Sequence, residues 1–405
     1  MNRLLAGAAK LDITPLRLGL RLGGHGVNRC AVGVRDPLLA RVVAISDGSA
    51  PLVIAALDLV GLMRGYVQRI RDRVPAADPR RIWVCSTHTH DSPDTLGFFG
   101  PMIAGLPLRS GLDEEYQEYV VDRTAAAVRE AIAALRPARL IAAAVRAPAM
   151  GLTRNVRLAG LKDNEIQIMR FEEPGGKPIA LCYHYACHPE FLGHTNRLIS
   201  AEWPGVTNSL LESRFGGVAL LVQNALGGMV TGAVSRDDGS FDPVIGQPFV
   251  AQLGRRIADL VVAGLNDNGR ETAVDEIRTA HQSFDVQVEN KVFYLASRLN
   301  ILPRWMIDAK RRTVTTEVNV GRLGPIALAT VPGEALPEVG FAVKRLLAAP
   351  HPWVLNLACD ELGYLLPVAA WNDPNYWYER SMSVGGGAVP LIEDTLKLLL
   401  ARLRE

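Results

Sequence analysis

Short apolar runs alternate with amphipathic segments along most of the chain. Residues 38–45 and 82–85 have the unbroken apolar character of buried strands, whereas residues 112–135 show helical periodicity. Because strands and helices alternate, we expect an α/β fold with mixed β-sheets flanked by helices. The predicted strands cover residues 4–13, 38–45, 52–59, 82–85, 139–147, 165–171, 179–187, 218–223, 277–288, 313–320, 326–331 and 353–358. The predicted helices cover residues 63–74, 112–135, 200–213, 248–265, 292–306, 335–347 and 389–405.

Two of the predicted strands end in histidines. His88 and His90 follow strand 82–85, and His188 follows strand 179–187. Residues two apart on an extended chain face the same way, so His88 and His90 can point into one pocket. They suit a shared metal, or one ligand beside one general acid/base, or they are two surface histidines in a loop. His184 lies about 13 Å further back along its strand, too far to share a metal with His188.

Polar residues follow further strands of the predicted sheets. Asn224 ends strand 218–223, Glu334 follows strand 326–331, and Tyr364 comes after strand 353–358. Strand ends at one edge of a sheet lie close together. Two histidines, a carboxylate and another oxygen donor suit a zinc ion that keeps one position open for water. Because the GxSxG signature of serine hydrolases is absent, the residues alone predict a zinc hydrolase.

Composition narrows the classes of partner. The chain has 405 residues, 48% hydrophobic and 21% charged, with a net charge of +2, and shows no repeat of fixed period. This charge argues against a nucleic-acid partner. Five cysteines without framework spacing indicate free, mostly buried thiols in a reducing compartment. Without an export pattern or a transmembrane segment of about 20 apolar residues, we expect a cytoplasmic protein.

Two apolar segments are candidates for the entrance to the site. Residues 95–111, directly after the histidines, form an apolar loop, and residues 292–306 form an amphipathic segment followed by basic residues. The second segment is a core helix, a lid, the interface of a homo-oligomer or a transient membrane contact. If both line the entrance, the substrate is a small molecule with an apolar chain. Phe98, Phe99 and Trp305 would then select chain length. His25, in a glycine-rich loop, is interpreted as structural.

An ordered set of short motifs along nearly the whole chain resembles the catalytic domain of the neutral ceramidase family. These enzymes are zinc amidases that cleave the amide bond of ceramide. The motifs that carry the resemblance are 7–15 (GAAKLDITP), 35–38 (RDPL), 86–90 (STHTH), 186–189 (ACHP), 200–205 (SAEWPG), 223–228 (QNALGG), 332–334 (PGE), 363–364 (GY) and 378–379 (YE).

The resemblance implies roles for particular residues. It implies a zinc ion held by His88, His188, Glu334 and Tyr364, although tyrosine is an unusual zinc ligand. It also implies the catalytic residues, which are His90 as the acid/base, Tyr378 beside the carbonyl oxygen, and Arg154 in the surrounding hydrogen bonds. On this basis we expect a single zinc-hydrolase catalytic domain over residues 1–405, without the C-terminal immunoglobulin-like domain of true ceramidases.

Departures from the family pattern leave the substrate open. Gly228 stands where the family has an aspartate, Thr231 near the position of a functional serine, and Glu202 in place of another aspartate. Ceramide, another N-acyl amide or an ester are therefore all candidate substrates, and a non-catalytic binding protein is the alternative class. Among other metal hydrolases, an amidohydrolase barrel conflicts with the hairpin around Gly321. The metallo-β-lactamase motif fails at Ser92.

Overall fold

A computed structural model describes residues 4–26, 28–103, 106–148, 152–228, 230–235, 241–243 and 246–404. The strands are β1 (Leu5–Asp12), β2 (Gly33–Val34), β3 (Leu39–Ser46), β4 (Leu52–Leu57), β5 (Ile82–Ser86), β6 (Met102–Ile103), β7 (Leu106–Pro107), β8 (Arg136–Pro137), β9 (Arg139–Arg146), β10 (Thr153–Asn155), β11 (Glu165–Glu172), β12 (Pro178–Tyr185), β13 (Leu198–Ile199), β14 (Val218–Gln223), β15 (Val230–Ser235), β16 (Phe241–Pro243), β17 (Arg270–Thr272), β18 (Ile277–Gln287), β19 (Thr313–Leu323), β20 (Ile326–Thr330), β21 (Glu334–Ala335), β22 (His351–Leu355) and β23 (Tyr364–Leu365).

The helices are α1 (Arg64–Asp72), α2 (Glu114–Ala133), α3 (Glu202–Phe215), α4 (Gln247–Asn268), α5 (Lys291–Arg298), α6 (Pro337–Leu347), α7 (Val368–Asn372), α8 (Trp377–Ser381) and α9 (Ala388–Arg402). Within the described ranges, no helix combines the length and apolar character that crossing a membrane requires. All five cysteines are free, as expected, and all but Cys30 are buried.

Three mixed sheets share one topology. The strand orders are β8-β1-β3-β4-β5, β17-β9-β11-β12-β14 and β18-β19-β20-β22. In each sheet three antiparallel strands are followed by a crossover helix (α1, α3 or α6) and a final strand that pairs in parallel. The first strands of the three units begin at Leu5, Arg139 and Ile277. The fold therefore repeats in hydrogen bonding and connectivity, although the sequence shows no repeat.

The inner faces of the three sheets pack against one another around a common apolar core. Trp83 of the first sheet, Cys182 of the second and Leu328 of the third belong to this core and are completely buried. Helix α2 covers the outer face of the first sheet, α3 and α4 cover the second, and α6 and α9 cover the third. The predicted mixed α/β class is thus confirmed, and these mixed sheets exclude the amidohydrolase barrel.

Some predicted boundaries are wrong. The helix predicted over 292–306 ends at Arg298, because the chain then turns through Asn300 with a φ of 59°. The helix predicted from residue 335 begins at Pro337, because Glu334 and Ala335 pair with β23 instead. Short strands in irregular segments, such as β10 and β17, were not predicted. Of the predicted segments, residues 104–105 of the apolar loop and residue 405 lie outside the described residues.

A buried ion pair joins the first unit to the third. Both guanidinium Nη atoms of Arg71, on α1, donate to the carboxylate of Glu317 on β19, at 2.9 and 2.6 Å. Neither side chain is more than 2% exposed. Burial would raise the pKa of Glu317, but Arg71 outweighs burial and lowers this pKa to about 2. The pair therefore fixes the register between helix and sheet and stays ionised at neutral pH.

Removing one partner should cost far more stability than breaking a pair at the surface. We expect Glu317→Gln to lower the free energy of unfolding by about 3–5 kcal/mol, because Arg71 is left as a buried, unpaired charge. Asp394→Asn breaks the exposed pair with Lys397 and should cost less than about 1 kcal/mol. Urea unfolding of both variants measures the difference, and equal losses would contradict this role for the buried pair.

Candidate metal centre and substrate cavity

Each of the three sheets delivers one metal-ligating side chain to the same place. His88 follows β5, His188 follows β12, and Glu334 follows β20. The Nε2 atom of His188 lies 3.0 Å from Glu334 Oε1, and the Nε2 atom of His88 lies 3.5 Å from Glu334 Oε2. His90 joins them, since His88, His90 and His188 each offer a ligand atom within 4.8 Å of the others.

Backbone carbonyls set the tautomers of two of these histidines. Nδ1 of His88 lies 2.5 Å from the Val60 carbonyl oxygen, and Nδ1 of His188 lies 3.0 Å from that of Val230. A carbonyl oxygen only accepts, so each Nδ1 carries the proton and each Nε2 faces the carboxylate. In metal sites, a hydrogen bond from the ring nitrogen that does not bind the metal orients the histidine ligand. Atoms around a tetrahedral zinc lie roughly 3.4 Å apart, close to the 3.0 and 3.5 Å that separate the Glu334 oxygens from the two Nε2 atoms.

The charges of the site compensate one another when no cation is bound. Burial would raise the pKa of Glu334, but His88 and His188 outweigh burial and lower it to about 2. Burial likewise opposes a charge on His188, but the hydrogen bond to Glu334 prevails and raises that pKa to about 9. For His90, burial and the neighbouring histidines lower the pKa well below its usual value. An ionised Glu334 thus faces a protonated His188, and a metal would replace that proton.

The two tyrosines predicted from the family motifs lie in the same cavity. Tyr364 is paired with Glu334 across β21 and β23, so both side chains leave the same face of this short sheet. The ring of Tyr378 lies 5.8 Å from that of Tyr364. Burial raises the pKa of Tyr378 to about 12 and that of Tyr364 well above its usual value. Both phenols therefore keep their protons at neutral pH and can donate hydrogen bonds.

Other predicted site residues lie outside the cavity wall. Arg154 lies on β10, paired with Thr231 of β15 next to the carbonyl that holds His188. It is not among the residues that line the cavity, so its role stays a prediction. The side chain of Asn224 donates to Asp163 at 2.9 Å instead of facing the ligands. Nε2 of His184 lies 3.0 Å from the Val354 carbonyl, which gives this buried histidine a partner within the core.

An apolar cavity of about 350 Å³ opens beside these ligands. The apolar loop after the histidines and helix α5 both contribute to its wall. The aliphatic and aromatic residues that line it are Val60, Leu96, Phe98, Phe99, Val292, Phe293, Ala296 and Met382. Trp305, predicted to share this lining, packs instead against Tyr66 with ring centroids 5.5 Å apart. The prediction that Trp305 lines the cavity was wrong because the chain turns away after α5.

Three cavity residues were not recognised from the sequence. His25 was interpreted as structural, but its ring centroid lies 4.9 Å from that of His90. Glu190 lies beside the same histidine, with Oε2 3.7 Å from Nδ1 of His90. Glu361 also lines the cavity, and among the residues that the structure describes one of its carboxyl oxygens has no hydrogen-bond partner. Burial, followed by the charge of Glu334, raises the pKa of Glu361 well above its usual value. The available signals were Gly23-Gly24 before His25 and the position of Glu190 directly after His188-Pro189.

The backbone around the histidines is held by long-range contacts. The amide of Gln223 donates to the carbonyls of Thr87 at 2.8 Å and Cys187 at 3.2 Å, which joins the two histidine-bearing loops. Arg29 donates to the carbonyls of Gly23 and His90. His88 has a φ of 69°, a conformation that non-glycine residues rarely adopt and that concentrates at functional sites. The ring positions are therefore determined by the scaffold.

Comparison with solved structures identifies the fold. A crystal structure of neutral ceramidase from Pseudomonas aeruginosa matches with a TM-score of 0.79 and 16% sequence identity, covering 100% of this chain and 75% of that chain. A structure of a ceramidase complexed with C2 matches with a TM-score of 0.78 and 15% identity, covering 100% and 76%. No protein-family model matches the sequence, and no curated protein matches it significantly. The predicted neutral-ceramidase-like fold is confirmed.

Gly24 should be intolerant of any side chain. A Cβ atom there would lie 2.3 Å from Cγ of His90, and its φ of 86° disfavours other residues. We expect Gly24→Ala to lower the free energy of unfolding by about 2 kcal/mol or more, through overpacking and backbone strain. Gly26→Ala is the control, since nothing lies within 4 Å of its Cβ position. Chemical unfolding measures the stability of both variants. Equal stability would contradict the expected overpacking at Gly24.

Proposed function

We propose that this protein is a zinc-dependent hydrolase that cleaves the amide bond of an N-acyl substrate. The observation that carries the proposal is the position of the Glu334 carboxylate between the Nε2 atoms of His88 and His188, at the end of an apolar cavity. Two imidazoles and a carboxylate are a ligand set of catalytic zinc enzymes. The ceramidase-like fold supports an amide as the bond cleaved.

In this proposal His88, His188, Glu334 and Tyr364 hold the zinc ion. When bound, zinc polarises the scissile carbonyl and makes a water molecule acidic enough to attack it. The Tyr378 phenol keeps its proton at neutral pH and donates a hydrogen bond to the developing oxyanion. His90, neutral in the resting site, takes a proton from the attacking water and passes it to the leaving amine.

The cavity wall supports a substrate with an apolar chain. Leu96, Phe98 and Phe293 present carbon surface beside the metal ligands, and their burial against an acyl or amine chain is worth about 25 cal/mol per Å². The polar residues of the wall include His88, His90, Glu334, both tyrosines, His25, Glu190, Glu361 and Ser381. An ester with the same chain is the second candidate, since the proposed chemistry also suits an ester carbonyl.

Substitution of the histidines should separate metal binding from turnover. We expect His88→Ala and His188→Ala to lose zinc, because each removes a ligand held by a backbone carbonyl. His90→Ala should keep zinc and lose about 10²–10⁴-fold in turnover, the usual contribution of acid/base catalysis. Elemental analysis of the purified variants gives the zinc content. If His90→Ala loses zinc as completely as His88→Ala, His90 is a ligand and its proposed role is wrong.

Chain-length selectivity should depend on the aromatic wall. Zinc-loaded protein is tested on N-acyl amines, N-acyl amino acids, ceramides and esters of matched chain lengths. We expect amide turnover, and Phe98→Ala and Phe99→Ala should raise the Michaelis constant for long chains more than for short ones. Trp305→Ala is the control outside the cavity and should leave the selectivity unchanged. Strong ester turnover without amide turnover would favour the second candidate, and equal losses for all chain lengths would contradict the lining role.

A further inference from the structure

A second group of metal-ligating side chains shares His90 with the first. His25, His90 and Glu190 each offer a ligand atom, and these atoms lie within 4.8 Å of one another. His25 comes from the glycine-rich loop before β2, and Glu190 from the segment after β12. Neither residue has a role in the hydrolysis proposed above, yet both line the substrate cavity.

The spacing is close to that of a zinc site. Nδ1 of His90 lies 3.7 Å from Oε2 of Glu190, and atoms around a tetrahedral zinc lie roughly 3.4 Å apart. The rings of His25 and His90 meet edge to face, with an angle of 81° between their planes. The Glu190 side chain is 19% exposed, so it has room to adjust. Small side-chain movements would therefore complete three ligands around one ion.

Two nitrogen atoms of this group are free to bind a ligand. His90 is only 8% exposed, and within the described part of the chain its Nδ1 atom has no hydrogen-bond partner. Nε2 of His25 is also a buried atom without a hydrogen-bond partner among the described residues. A buried polar atom without a partner is destabilising, and a bound cation would remove that cost. Glu190 supplies negative charge, and the nearby Arg29 is neutralised by Asp91 at 2.9 Å.

We propose that His25, His90 and Glu190 form a second, weaker divalent-cation site, and that its occupation inhibits hydrolysis. Two imidazoles and a carboxylate favour zinc or a similar transition metal. The site is weaker than the first because it has three protein ligands, one of them partly exposed. The inhibition rests on the function proposed above: a cation on either nitrogen of His90 removes the lone pair that proton transfer needs.

Metal stoichiometry tests the site without any substrate. Equilibrium dialysis of the metal-free protein against Zn²⁺ should show one tight and one weaker equivalent per chain. His25→Ala and Glu190→Gln should each retain the tight equivalent and lose the weaker one. His194→Ala, which removes an exposed histidine four residues after Glu190, should retain both and controls for surface binding. Wild-type protein that binds a single equivalent, or a weaker equivalent that only His194→Ala removes, would overturn the second site.

Activity tests the inhibition. In the wild type, turnover should fall by about 10²-fold or more as the weaker equivalent fills, the size of a lost acid/base contribution. Each variant is compared with its own activity at one equivalent, and neither His25→Ala nor Glu190→Gln should show the fall. Unchanged or rising turnover would overturn the inhibitory role. Binding of no zinc at all would overturn the proposed function itself, whereas one equivalent with amide turnover would overturn only this inference.

Discussion

The Glu334 carboxylate between His88 and His188 is the constraint on which the rest of the site depends. A carboxylate buried at the meeting point of three sheets costs several kcal/mol unless a cation or a protonated imidazole compensates it. Each sheet contributes one member of this group, so the ligand geometry requires that all three topologically equivalent units pack in register. The candidate metal centre is thus a property of the whole fold and not of any single motif.

Contacts behind the ligands preserve this geometry. The Gln223 side chain joins the two histidine-bearing loops, and the carbonyls of Val60 and Val230 hold the rings from behind. Such outer contacts fix the orientation of metal ligands and contribute to metal affinity. The left-handed backbone at His88 shows that the scaffold imposes this arrangement at a local cost.

The fold class and the convergence of His88, His188 and Glu334 were predictable because apolar periodicity reports burial, and polar residues directly after buried strands stand out. The threefold topology was not predictable, since it lies in strand pairing and not in residue identity. His25 was missed because Arg29 and the close approach of Gly24 to His90 bring its loop to the site. Glu190 was missed because its segment is joined to His90 by a hydrogen bond from the His90 amide to the Pro189 carbonyl, and all of these contacts are long-range. Trp305 was misplaced because periodicity indicates that a residue packs, but not against which partner.

Burial in the apolar cavity changes the pKa of the acidic groups that line it. Burial raises the pKa of Tyr364, Tyr378 and Glu361 beside an ionised Glu334, and the two phenols therefore keep their protons at neutral pH. Like charges of Glu334 and Glu361 in one small cavity oppose each other, which adds to this effect. The cavity therefore presents hydrogen-bond donors where an apolar lining alone would offer none. Because these donors are buried or half-buried, they interact more strongly with a negative charge than they would at the surface.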